Sequence, residues 1–289
     1  MEIQIPLVIF TSFLAWAAGI FGTQCVLALQ KRGGAAQLPA LIASVVILAV
    51  GGIAVVFHLT HPFNLFNGFG HLTSGITQEL IAIVLLAVVM VLYFLMLRRS
   101  EDHTVPQWLA VVGIVLVFVL IFAMGHSYMM PSLPAWDTVL QMLSLLGAAC
   151  VMGPATVAFI GALADEKIEG IGLLAVIGAA VNAVLSAAYM FAMEASSASF
   201  QSFQYYFDPT HPNAALANPA DVSLFTGDSM TALVVAVIAL IVALAGAFVG
   251  KKQDSWKVWG AVVAIAGLVC AVALRIMMYT MGETLFMLY

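Results

Sequence analysis

Eight long apolar stretches run through the 289 residues of this chain, and few charged residues fall inside them. A transmembrane helix needs about 20 mostly apolar residues, because a helix rises about 1.5 Å per residue across roughly 30 Å of hydrocarbon. The predicted spans are residues 6–29, 38–59, 76–97, 107–130, 136–164, 170–194, 229–250 and 256–284. A composition of 64% hydrophobic and 8% charged residues excludes a water-soluble domain. The sequence therefore predicts an all-α polytopic membrane protein in which residues 1–289 form one eight-helix domain.

The three cysteines, Cys25, Cys150 and Cys270, lie in different apolar stretches and form no Cys-x-x-Cys pair. A structural zinc site or an iron–sulfur cluster takes about four ligands, several of them thiolates. We therefore expect no metal site and no iron–sulfur cluster within this chain, and thiols that pack in the core.

The basic residues are strongly biased toward one side of the predicted membrane. Eight of the nine follow odd-numbered spans, and they are Lys31, Arg32, Arg98, Arg99, Lys167, Lys251, Lys252 and Lys257. The positive-inside rule places these residues in the cytoplasm, so both termini and the links after spans 2, 4 and 6 are predicted to lie outside. The last of these links, at about 195–228, is the longest. The net charge of −5 then reflects an acidic outer side, which argues against a nucleic-acid partner.

The ninth basic residue, Arg275, lies deep in the last span. It follows Trp256 by about 28 Å of helix, which places it near the outer boundary of the hydrocarbon. There it either reaches the interface or faces the bundle, where it needs an acidic or carbonyl partner.

Polar side chains from five spans are predicted to lie at this same outer depth, and they are His58, Glu79, His126, Tyr128, Glu194 and Arg275. Because the inner half has almost none, the pattern predicts an outward-facing pocket between helices. A histidine and a glutamate beside hydrocarbon can accept protons from a small amphiphile, as quinol oxidation requires. His58 and Glu79 are the candidate catalytic residues.

Two other classes of membrane protein stay open. A b-type haem needs two axial nitrogens at matching depth, and His58 and His126 come nearest to meeting that need. A proton-coupled transporter should carry polar groups near the midplane, where Asn182 and Ser186 are weak candidates.

Several motifs along the chain point to one family. The link between spans 2 and 3 carries His58-Leu59-x-x-Pro62, Phe66-Asn67 and Ser74-x-x-x-x-Glu79. The chain also holds PLVIFT near its start, Tyr128 before Pro134-x-Trp136, Gly153-Pro154, Glu194 and Arg275-x-x-x-Tyr279. In this order, and over nearly the full length, the motifs resemble the membrane anchor subunit of bacterial dimethyl sulfoxide reductase.

The resemblance implies a haem-free subunit in a bacterial cytoplasmic (inner) membrane that binds menaquinol near the outer face. It also implies two protein partners: an iron–sulfur subunit that takes the electrons and a molybdopterin catalytic subunit that uses them. The chain alone would then catalyse no complete reaction. His58 and Glu79 would be the quinol-site residues with Arg275 nearby, and His126, Tyr128 and Glu194 would complete the predicted pocket. His126 departs from the family pattern, which has an arginine at this position.

Overall fold

The computed structural model describes residues 3–58, 70–201 and 222–283, and it shows a bundle of long α-helices. Within these residues eight helices are long and apolar enough to cross a membrane, and no strand is present. The predicted all-α, eight-span fold is thereby confirmed. The motif residues Leu59, Pro62, Phe66 and Asn67, and most of the 195–228 link, lie outside the described residues.

The long helices follow one another along the chain, with longer connections between α2 and α3 and between α6 and α8 than elsewhere. They are α1 (Ile5–Leu29), α2 (Gln37–Val56), α3 (Gly75–Arg99), α4 (Gln107–His126), α5 (Val139–Leu163), α6 (Ile171–Ser196), α8 (Gly227–Gln253) and α9 (Trp256–Thr280). A single 3₁₀ turn, Gly34–Ala36, leads into α2, and a short helix α7, Ala198–Gln201, follows α6. Basic side chains in the last turns of α3 and α8 complement the negative C-terminal ends of these helices.

The predicted span boundaries differ most around the link between α4 and α5. The span predicted to reach residue 130 ends at His126, and the one predicted from residue 136 begins at Val139. Link residues such as Tyr128 and Trp136 fold back and are buried against the helices. Hydropathy alone therefore counted them as membrane-spanning residues. The last span ends at Thr280, four residues before its predicted limit of 284.

Helix α5 occupies the centre of the bundle, where it packs against α1, α6 and α9. Glycines allow these close approaches: a Cβ added at Gly19 would collide with the carbonyl of Ala149, and one at Gly178 with the carbonyl of Cys150. Small residues at helix crossings favour association in lipid, because van der Waals contact has to supply what hydrophobic burial supplies in water. The central helix is thus fixed largely by backbone-to-backbone contact.

Three exposed ion pairs identify one end of the bundle, which we call the basic end. They are Arg32–Glu169 at 3.2 Å, Lys167–Asp254 at 3.3 Å and Lys257–Asp165 at 3.0 Å. Exposed pairs stabilise a fold only slightly, but these show that the links after α1, α5 and α8 lie side by side. The eight alternating crossings then bring residues 3 and 283 to the opposite end.

A buried polar network lies in the half of the bundle near the basic end. Gln24 Nε2 donates to Gln37 Oε1 at 3.0 Å, and the Tyr93 hydroxyl donates to the same oxygen at 2.9 Å. The expectation that this half holds almost no polar groups is therefore wrong. These side chains are uncharged, so a count of ionisable residues passes over them, yet they join α1, α2 and α3 inside the hydrocarbon.

The glycine at the α5–α6 crossing gives a matched test of this packing. We expect Gly178→Ala to lower the thermal unfolding midpoint of the detergent-purified chain, since overpacking costs typically 1–3 kcal/mol. Gly52→Ala, where an added Cβ meets no atom within 4 Å, should leave the midpoint unchanged or slightly raised. Equal effects of the two substitutions would contradict the close crossing.

Candidate functional site

Glu79 is a buried carboxyl in the second turn of α3, with 6% of its surface exposed. Its Oε2 accepts a hydrogen bond from Ser127 Oγ at 3.4 Å, just beyond the end of α4. The other oxygen, Oε1, is buried without a hydrogen-bond partner among the residues the structure describes. An unpaired buried oxygen costs free energy, so a ligand that donated a hydrogen bond here would recover that cost.

Arg275 faces the bundle and is 2% exposed, so it does not reach the membrane interface. Its Nη2 donates to Ser144 Oγ at 3.1 Å and to the Gln141 carbonyl at 3.5 Å, and its Nη1 lies 3.2 Å from Met278 Sδ. All these partners are neutral. Within the described part of the chain, no carboxylate forms an ion pair with Arg275.

Three aromatic side chains pack against one another in the region of Glu79 and Arg275. The Tyr128 ring lies 5.9 Å from Trp136, and Trp136 lies 5.2 Å from Tyr279, measured between ring centroids. Burial raises the pKa of the Tyr128 phenol; nearby Glu79 and Tyr279 raise it further, and Arg275 opposes them. Tyr128 is therefore within electrostatic reach of both the buried acid and the buried base.

We call this group the Glu79–Arg275 cluster; its members are Glu79, Ser127, Tyr128, Trp136, Gln141, Ser144, Arg275 and Tyr279. It lies near the end opposite the basic end and joins α3, the α4–α5 link, α5 and α9. A further buried polar atom in it, Gln141 Oε1, has no hydrogen-bond partner among the described residues. Three of the predicted site residues, Glu79, Tyr128 and Arg275, thus come together.

The two predicted histidines lie outside this cluster. His58 lies two residues beyond the end of α2 and is exposed, and no hydrogen bond joins it to Glu79 in the described part of the chain. His126 ends α4 and is also exposed. His71 and His103 are exposed as well, so the histidines that the structure describes supply no buried pair of haem ligands. The same residues contain no group of three or more side chains suited to a metal ion.

A groove on the lipid-facing side of α4 begins at His126. Its volume is about 640 Å³, and its polar wall consists of His126 and Gln78, the neighbours in sequence of Ser127 and Glu79. The remaining wall is apolar and includes the stacked rings of Phe118 and Phe122, 6.4 Å apart. Phe118 also lines a second, largely apolar cavity of about 220 Å³ between α1, α4, α5 and α6. Apolar surface thus runs from Gln78 and His126 toward the middle of the bundle.

Glu194 has a different environment from the one predicted for it. Its carboxylate accepts hydrogen bonds from the Ser223 hydroxyl at 3.1 Å and the Leu224 backbone N–H at 2.8 Å. These bonds tie the end of α6 to the segment that leads into α8. No hydrogen bond joins Glu194 to the Glu79–Arg275 cluster in the described residues, so its prediction as a ligand gains no support from the geometry.

Sequence reasoning missed Gln141, Ser144 and Tyr189. Gln141 and Ser144 are three residues apart on α5 and share one face, the spacing that places two side chains beside one partner on another helix. Tyr189 is fully buried on α6 and donates to the Ala135 carbonyl at 3.2 Å. A search for uncharged polar pairs near the span ends opposite the basic end would have found the first two.

One family model matches part of the chain. A family model described as "Protein of unknown function (DUF4064)" matches residues 167–273, which include α6, α8 and most of α9. The match covers less than half of the chain and includes neither Glu79 nor Arg275. No curated protein matches the chain.

The contacts of Glu194 predict a structural role that stability measurements can test. Glu194→Ala removes the acceptor for Ser223 and Leu224, so we expect a loss of about 1.5–3 kcal/mol in unfolding free energy. Glu101→Ala, at an exposed position near the basic end, should have little effect. Equal melting of both variants and the native chain would contradict the role assigned to Glu194.

Proposed function

We propose that this chain is the quinol-oxidising membrane anchor subunit of a molybdopterin oxidoreductase complex of the dimethyl sulfoxide reductase type. Glu79 carries the proposal: it is a buried carboxyl with one oxygen held by Ser127 and the other without a partner in the described chain. The motif resemblance supplies the identity of the complex, and the eight membrane-spanning helices are consistent with it.

Quinol oxidation fits the chemistry of such a carboxyl. A hydroquinone gives up two protons and two electrons to become a quinone, so each hydroxyl needs a proton acceptor close by. The free Oε1 of Glu79 can accept a hydrogen bond from one hydroxyl and then its proton. The two electrons would pass one at a time to an iron–sulfur cluster of the partner subunit, since this chain is not expected to hold a cluster of its own. The proton of the other hydroxyl would go to His58, the second predicted catalytic residue.

The groove at His126 supports access from the bilayer. A quinol carries a polar ring and a long isoprenoid tail, and the groove has polar residues at one end and apolar residues along the rest. The ring would lie at Gln78 and His126, one residue from Glu79 and Ser127 in the sequence. His126 would then replace the arginine of the family as the group that meets the ring. His58, the hydroxyl partner in the resemblance, would have to act from the end of α2.

The partners and location belong to the same proposal. The basic end would lie in the cytoplasm of a bacterial cell, and the Glu79–Arg275 cluster near the outer face. The iron–sulfur subunit would dock on the outer links, notably 60–75, 131–135 and 195–228. The terminal electron acceptor would be set by the catalytic subunit rather than by this chain.

Replacement of the buried carboxyl tests the proposed function directly. In the assembled complex, Glu79→Gln should lower quinol-dependent turnover by about a hundredfold or more, because loss of a general base typically costs that much. The measurement is oxidation of a reduced menaquinone analogue by membranes that carry the complex.

Two controls accompany that assay. Glu101→Gln makes the same chemical change at an exposed position and should turn over normally. Electron transfer from an artificial donor directly to the partner subunits should also be unaffected by Glu79→Gln, which shows that the complex is assembled. Normal quinol turnover in the Glu79→Gln complex would exclude Glu79 as the proton acceptor.

The proposed orientation can be tested by cysteine labelling in a background without native cysteines. Residues 102 and 137 are exposed in links at opposite ends of the bundle. We expect a membrane-impermeant maleimide to label Asp137→Cys in intact cells and Asp102→Cys after permeabilisation. Labelling of residue 102 in intact cells would reverse the orientation.

A further inference from the structure

The second cavity, of about 220 Å³, is elongated along the helices. Helices α1 and α5 pack against each other, α4 packs on α1 and α6 packs on α5, so that α4 and α6 form its side walls. Each helix lines it with residues three or four apart, such as Gly19, Gly22 and Val26 on α1 and Leu174, Ile177 and Val181 on α6. Residues at this spacing share one face of a helix, so the cavity follows the bundle axis for about 10 Å.

The wall of the second cavity has almost no group that could bind a polar occupant. The Thr23 hydroxyl already donates to the Gly19 carbonyl at 2.8 Å, and the Cys150 thiol is a weak hydrogen-bonding group. The other lining residues are apolar. A buried water needs several polar partners, whereas a hydrocarbon chain needs only van der Waals contact. The second cavity is therefore suited to a hydrocarbon chain.

The second cavity is continuous with the groove at His126. Phe118 of α4 lines both of them. On α5, Met142 lines the groove, and Leu146 and Cys150, at successive steps of four residues, line the second cavity. This stripe lies on one face of α5 and covers about 12 Å. The groove and the second cavity thus form one path that begins at a polar wall and continues between apolar helix faces.

The polar wall of the groove distinguishes between two hydrocarbon occupants, a phospholipid acyl chain and an isoprenoid tail. A phospholipid carries a phosphate, which lysine and arginine bind best. Among the described residues, no lysine or arginine lines the groove or the second cavity. The amide of Gln78 and the imidazole of His126 can instead form hydrogen bonds with the oxygens of an uncharged ring. The path therefore fits an uncharged ring with a long apolar tail.

We propose that the second cavity holds the isoprenoid tail of the quinol whose ring lies at the polar wall of the groove. The identity of the ring rests on the proposed function, whereas the tail site rests on the shape and lining of the cavity. The chain then selects quinols with a long tail over quinols without one. Residues that line the second cavity determine affinity for the substrate and take no part in proton transfer.

A bulkier side chain in the second cavity tests the proposal. In the assembled complex, Val181→Phe should raise the KM for a menaquinol with an isoprenoid tail about tenfold, since lost burial of about two methylene groups has an effect of that size. The kcat should be retained, because the tail makes the same contacts before and during the reaction. Menadiol, which has the same ring without the tail, should keep its native KM.

Val184→Phe is the matched control. It makes the same change about one turn further along α6, at a position that is 66% exposed and does not line the second cavity, so every KM should stay native. A native KM for the tailed menaquinol in Val181→Phe would overturn the proposal, as would equal KM values for the tailed menaquinol and menadiol in the native complex. If Val181→Phe does not assemble, Gly22→Leu fills the same cavity from α1, where an added Cβ comes no closer than 3.4 Å to Val117.

Photolabelling tests the tail site without turnover. The full chain in phosphatidylglycerol vesicles is irradiated with a menaquinone that carries a diazirine in its tail. We expect labels within residues 114–121 and 174–181 that excess menaquinone removes. Labels spread evenly over the lipid-facing helices, or labels that excess menaquinone leaves in place, would assign the cavity to lipid and overturn the proposal. Displaceable labels at these residues, together with no quinol oxidation by the native complex, would instead refute the proposed function and leave the tail site standing.

Discussion

The absence of hydrogen-bonding partners in the hydrocarbon is the constraint on which this structure depends. It forces the chain into full-length helices, since each span must satisfy its own backbone groups. It also makes every polar side chain inside the bundle costly in free energy unless that side chain has a hydrogen-bond partner. Most of them are paired, as the Gln24–Gln37–Tyr93 network shows. Several buried polar atoms lack a partner in the described chain, and the Glu79 oxygen is the one among them that belongs to a carboxyl group, which points to a ligand.

The same constraint explains why the exposed charges and the buried charge of Arg275 have different roles. The ion pairs of the basic end are exposed and cost little to form or break, so they orient links without fixing the bundle. Arg275 is buried, and its charge has to be balanced inside the protein or by a ligand. Its neutral hydrogen bonds to Gln141 and Ser144 hold the guanidinium in place but leave its charge unbalanced.

The sequence predicted well how far along its span each polar side chain lies. It predicted poorly the direction in which that side chain points around the helix. Hydropathy and the positions of the basic residues gave the eight spans and placed Glu79, Tyr128 and Arg275 near one end, and the structure brings these three together. Depth alone also grouped Glu194 with them, yet its side chain turns toward Ser223. Which way a side chain points depends on helix packing, and in an apolar span the hydrophobic pattern hardly marks the buried face. Polar pairs such as Gln141 and Ser144 carry that information instead.

If Glu79 takes the proton of a quinol, the proton and the electrons leave the site by different routes. The electrons would leave through the outer links to the partner, and the proton would leave from a carboxyl near the same face. Both products would then appear on one side of the membrane, so this step by itself would store little proton-motive force.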